Sequence, residues 1–165
     1  MMNSRTRGTV SREKVLVIGV GNWYRSDDAV GLMLAERIGS LRLPGVTVRE
    51  ESGEGGALME AWKGFDHVIL IDATSSGSPP GSIRCFNCVE NIPARSLRCS
   101  SHIFGVVEAV ELTRVLGTLP GTLMIYGIEG EDFSFGTELS PLVSKAVGVV
   151  ESMVIVRAGH SLETI

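Results

Sequence analysis

Gly19-Val20-Gly21-Asn22-Trp23-Tyr24-Arg25-Ser26-Asp27-Asp28-Ala29-Val30-Gly31 joins an apolar run, Val15-Leu16-Val17-Ile18, to a segment in which Val30, Leu34, Ile38 and Leu41 recur at helical spacing. The stretch reads as strand, glycine turn and helix, and it brings two adjacent acids to the helix start at the end of a central strand. Open α/β sheets place their active sites there. A dinucleotide-binding turn is the competing reading. That fingerprint wants a third glycine five residues after the first, a neighbourhood held here by Arg25 and Ser26. Adjacent aspartates would also repel a pyrophosphate from the helix N-terminus that should receive it. An electropositive ligand, most simply a metal ion, suits the turn better.

Outward from this turn, strands and helices alternate. Val46 and Val48 mark a second strand after the Pro44-Gly45 turn, and Ala57 to Trp62 a short helix. His67-Val68-Ile69-Leu70-Ile71-Asp72 is almost wholly apolar, as a strand buried on both faces must be, with Asp72 as its expected last residue. Ser82 to Phe86 reads as an edge strand. Ile103, Val106, Val107 and Val110 share a helical face just after Ser100-Ser101-His102, where a serine can cap the helix. Leu123 to Ile128 reads as the fifth strand. Ser140-Pro141 opens a final helix with serine as cap, expected to carry Leu142, Val149, Val150 and Met153 inward. The pattern predicts an α/β fold of three layers: a central, mostly parallel, twisted sheet of about five strands with helices on both faces. A single domain is expected over residues 13–159, with flexible ends at 1–12 and 160–165.

The 165 residues suffice for one domain with a real core. A net charge of −4 argues against a nucleic-acid partner. No apolar run approaches the roughly 20 residues of a membrane span, and the first twelve residues lack the apolar stretch of a signal peptide. Three cysteines, an odd number, argue against a secreted disulfide framework, so the expected location is the cytoplasm.

Asp28, Asp72 and His102 each stand where a loop should leave the sheet. Two carboxylates and an imidazole make a donor set for a borderline divalent ion such as zinc or nickel, with positions left open for water or a partner's ligand. Taken singly, each has an ordinary alternative. Asp28 can complement a helix dipole, worth about 0.3–1 kcal/mol, Asp72 can be a turn residue and His102 a surface histidine. A rival constellation is Cys85-x2-Cys88 with Cys99-x2-His102, three thiolates and an imidazole that could bind structural zinc. No Ser-His-Asp or Cys-His set with recognisable surroundings appears. Such a site is open to metal-assisted hydrolysis, which the resemblance below implies, or to a non-catalytic metal-dependent binding protein, such as a nickel checkpoint or chaperone.

The pattern Gly-x-Gly-Asn-x4-Asp-Asp-x2-Gly, Asp72 after Val68-Ile69-Leu70-Ile71, and Ser101-His102-x2-Gly105 resembles the hydrogenase maturation endopeptidases. Tyr126-Gly127-Ile128-Glu129, Gly136 and Leu139-Ser140-Pro141 follow in the family's order. The resemblance implies a protease that removes the C-terminal extension of an immature nickel-iron hydrogenase large subunit after its metal is loaded. By position it implies Asp28, Asp72 and His102 as ligands and catalytic residues acting through nickel supplied by the substrate, with no permanent cofactor. It makes Asp27 a neighbour of the ligand, expected here as a helix N-cap. Glu51-Ser52-Gly53-Glu54-Gly55-Gly56 departs from the family by carrying extra carboxylates where many members have Asp-Gly-Gly-Thr.

Overall fold

The computed structural model of the chain describes residues 14–89 and 103–160. Among them, β1 (Val15–Val20) lies inside a five-stranded sheet of order β2-β1-β3-β5-β4, with β2 at Val46–Glu51, β3 at His67–Thr74, β4 at Ile83–Asn87 and β5 at Thr122–Glu129. β1 is parallel to β2 and β3, and β3 to β5; only β4, at the edge, is antiparallel. The chain moves outward from β1 to β2, then crosses back to place β3 on the other side of β1. That reversal opens a crevice at the carboxyl ends of β1 and β3, the position at which open parallel sheets bind ligands.

Helices α1 (Val30–Ser40) and α4 (Pro141–Arg157) cover one face of the sheet, and α2 (Gly55–Trp62) and α3 (Ile103–Val115) the other. The apolar runs of β1 and β3 are explained by this double cover. Leu16, Ile18, Val68 and Leu70 point into the α2–α3 layer, and Val17, Ile69 and Ile71 into the α1–α4 layer. All seven are buried, each stabilising the fold by about 1.5–3 kcal/mol relative to exposure.

Three expectations are corrected. β3 does not end at Asp72: Ala73 and Thr74 still pair with Ile128 and Glu129 of β5, so the acid lies within the sheet. Ser140 occupies the cap position of α4, but its hydroxyl makes no capping bond because a buried carboxylate takes it, as described below. The inward residues of α4 are Val143, Ala146, Val147, Val150, Val154 and Ile155, whereas Leu142, Val149 and Met153 are exposed. α4 is apolar nearly all round, so its composition does not select a face. No helix of the described residues is long and apolar enough to cross a membrane.

Candidate functional site

The site begins where β1 ends. Gly21 takes φ +149°, and a Cβ there would stand 1.8 Å from the carbonyl oxygen of Asp28, so the chain can double back only on a glycine. A 3-10 turn, Ser26–Ala29, follows and runs into α1. One turn on, a Cβ at Gly31 would lie 2.4 Å from the carbonyl oxygens of both Val20 and Ile71. The first turn of α1 therefore rests directly on the backbone of β1 and β3, and the 3-10 turn packs against β3. This seats Asp28, which is fully buried, over the strand that carries Asp72, itself 3% exposed. Both acids are thus buried toward the end of the sheet where the crevice opens.

Asp27 is not the helix cap the sequence suggests. The turn has no side-chain cap, and the Asp27 carboxylate crosses to the β5–α4 loop. Its Oδ2 accepts from the backbone N–H of Glu131 (2.8 Å) and Asp132 (2.9 Å) and from the Ser140 hydroxyl (2.7 Å), and its Oδ1 from the Ser140 N–H (2.6 Å). The backbone adds three ties: Asp27 N–H to Asp132 O (3.0 Å), Ser26 N–H to Gly136 O (3.0 Å) and Gly136 N–H to Tyr24 O (3.1 Å). Ser26 is held at φ +47°, a left-handed conformation costly for a residue with a Cβ, and its hydroxyl donates to Ser134 O (3.2 Å). One buried acid thus locks the loop beside Asp28.

A second buried carboxylate does the same beyond Asp72. Glu129 ends β5 and is 2% exposed. Its Oε1 accepts from the N–H groups of Ser76 (2.6 Å), Gly77 (2.8 Å) and Ser78 (3.1 Å), and its Oε2 from the hydroxyls of Thr74 (2.7 Å) and Ser76 (2.9 Å). Burial pushes its pKa up, but the hydrogen bonds from Thr74, Ser76 and Gly77 outweigh it and bring the group below the ordinary carboxylate value.

His102 lies outside the described residues. Ile103, which follows it, begins α3, and a Cβ at Gly105 would stand 1.5 Å from the Gly53 carbonyl oxygen. The first turn of α3 therefore sits on the loop after β2, at the same edge of the sheet as Asp28 and Asp72. In that loop Glu54 caps α2, accepting from the N–H groups of Gly56 (2.9 Å) and Ala57 (2.8 Å), which lower its pKa. This extra carboxylate has a structural task. Among the described residues no three His, Cys, Asp or Glu side chains are grouped as an ion site, the third expected ligand not being among them.

The described cysteines diverge. Cys85 is exposed and Cys88 is buried in the α2–α3 layer, where burial above all pushes its thiol up to about 12. Cys99 lies outside the described residues.

Comparison with known proteins agrees with this architecture. The profile of the HycI hydrogenase maturation protease family matches residues 40–157. The hydrogenase 2 maturation protease of Escherichia coli K12 is 28% identical over 138 residues, covering 81% of this chain and 84% of that protein. The hydrogenase expression/formation protein HupD of Thiocapsa roseopersicina is 25% identical over 142 residues, covering 83% of this chain and 64% of its own, a little under two thirds. Among solved structures, the hydrogenase maturating endopeptidase HybD from E. coli superimposes with a TM-score of 0.72 over 87% of this chain and 91% of that one. At 22% identity that likeness establishes the shared fold.

Proposed function

Because the chain belongs to the hydrogenase maturation protease family, we propose that it is an endopeptidase that removes the C-terminal extension from a nickel-loaded precursor of a nickel-iron hydrogenase large subunit. The observation that carries this reading is the seating of two buried acids, Asp28 and Asp72, at the crevice between β1 and β3. Asp27 and Glu129 lock the loops on either side of that crevice.

Asp28, Asp72 and His102 are assigned as ligands to the nickel that the precursor brings. Two carboxylates and an imidazole suit a borderline divalent ion and leave coordination positions to the substrate itself. Buried carboxylates are costly to charge, and a cation seated between them offsets that cost. Recognition then doubles as a check on loading: an empty precursor supplies no ion and gains no contact with the pair. Held against nickel, the scissile carbonyl is polarised toward attack by water. One of the two aspartates accepts the proton of the attacking water, and the leaving amine takes a proton as the C–N bond breaks. The fixed loops on either side hold the acids in place, which is what such proximity chemistry needs. The same reading puts the reaction in the cytoplasm.

The test is direct. Purified chain incubated with the nickel-loaded precursor of the same organism should shorten it at its C-terminus, read by intact mass. Binding of the loaded precursor with no loss of mass would instead make the chain a nickel checkpoint.

A further inference from the structure

We propose that Tyr24 and Phe135 form a preformed aromatic anchor that grips an apolar side chain of the precursor, flanked by basic residues, beside the segment to be removed; this rests on the endopeptidase reading above. Both rings are out in solvent, Tyr24 71% and Phe135 89% exposed. A monomer gains nothing from holding such rings in the open. Yet the backbone around them is pinned. Gly136, after Phe135, exchanges bonds with Tyr24 O and Ser26 N–H, and Ser134, before it, donates to the Asp132 carboxylate (2.8 Å) and accepts from the Ser26 hydroxyl. The Arg25 guanidinium lies 5.8 Å from the Phe135 ring centroid and donates to Phe133 O at 3.0 and 3.2 Å.

An exposed aromatic on a pinned backbone has already lost the backbone freedom that binding would otherwise cost, as interface anchors do. Its position names the occupant. Tyr24 stands four residues before Asp28 on the same turn, and the loop bearing Phe135 is locked by Asp27, so a chain gripped here lies against the crevice. Around the Arg25 guanidinium over Phe135, the loop over residues 130–140 exposes Glu131, Asp132 and Glu138 and has no basic residue of its own, so acids outnumber that cation. An apolar side chain flanked by lysine or arginine is the complement of that surface.

The experiment measures steady-state processing of the nickel-loaded precursor, and its binding, for wild type, Tyr24→Ala, Phe135→Ala, the double variant, Glu131→Gln with Glu138→Gln, and Val115→Ala. Val115 is 81% exposed at the far end of α3 and serves as the control. Thermal melts establish that each variant is folded. The inference expects KM and Kd to rise roughly tenfold per aromatic and less for the paired glutamines, with kcat within about twofold. Unchanged KM and Kd in the folded double variant, with wild type active, overturn the anchor and leave the endopeptidase standing. A fall in kcat at unchanged KM also overturns it. A wild type that neither binds nor cleaves the loaded precursor overturns both.

Discussion

Two loops flank the crevice, and each is held by a buried carboxylate from a different part of the chain. Asp27 reaches from the β1–α1 turn to the loop after β5, while Glu129 reaches from the end of β5 to the loop after β3. The difference lies in what each acid holds. Glu129 collects three consecutive N–H groups and two hydroxyls from one short segment, closing a local turn around itself. Asp27 ties residues 104 to 113 positions away and so joins two distant stretches of chain. A pair of adjacent acids, Asp27-Asp28, therefore divides: one residue builds the site's wall and its neighbour is buried where the turn packs on β3.

The comparison breaks most visibly at Asp27. Asp27→Asn places an amide donor against backbone and hydroxyl donors, and should destabilise the chain by about 3 kcal/mol. For a domain of this size that is a fall in melting temperature of roughly 10 °C. Hydrogen exchange should show lost protection at the Glu131, Asp132 and Ser140 amides, with β2 and α2 unchanged. A melt within a degree or two of wild type would show that Asp27 is not the tie.

Glu129→Gln should cost less, about 1–2 kcal/mol, because the amide keeps one acceptor for the N–H groups. The effect should also depend on pH. The folded pKa of Glu129 lies below its unfolded value, so its contribution is fully present above about pH 4.3 and is lost as pH falls through the folded pKa. Denaturant melts of the two proteins should therefore differ at pH 7 and converge in acid. A gap that stays constant down to low pH would contradict the charged role.

The smallest effect sets the floor. Arg37 on α1 and Glu151 on α4 meet in a two-pronged pair, 2.6 and 3.1 Å, with Arg37 half exposed. Arg37→Ala should cost only about 0.5 kcal/mol and less in high salt. A cost rivalling that of Asp27→Asn would mean that exposed pairs, rather than buried ties, hold these layers together.

Much of this was legible in the sequence because it is local. Glycines at 19, 21 and 31 with an apolar run before them specify strand, turn and helix, and the apolar strand 68–71 declares a sheet covered on both sides. What was hidden depends on distant partners. The role of Asp27 requires knowing that residues 131–140 return to the first turn, and nothing at position 27 says so; the local signal, an acid before a helix, points to a cap. Glu129 carried a fainter trace, an acid closing an apolar strand. Asp72 looked like a strand end because it is the first charge after an apolar run, but the pairing of Ala73 and Thr74 with β5 decides the boundary. The inward face of α4 could not be read because apolar residues surround it. Tyr24 and Phe135 are far apart in sequence, and the bonds of Gly136 to Tyr24 and Ser26 make them neighbours.

The central claim, that Asp28 and Asp72 with His102 read the nickel carried by the substrate, is tested most directly by the mass of the precursor's C-terminus. Nickel-loaded and nickel-free precursor are each incubated with wild type and with Asp72→Asn, the nickel-free arm in the presence of a chelator. The account predicts that only the loaded precursor with wild type is shortened, with Asp72→Asn folded and inactive. Equal shortening of the empty precursor, or normal processing by Asp72→Asn, would contradict it.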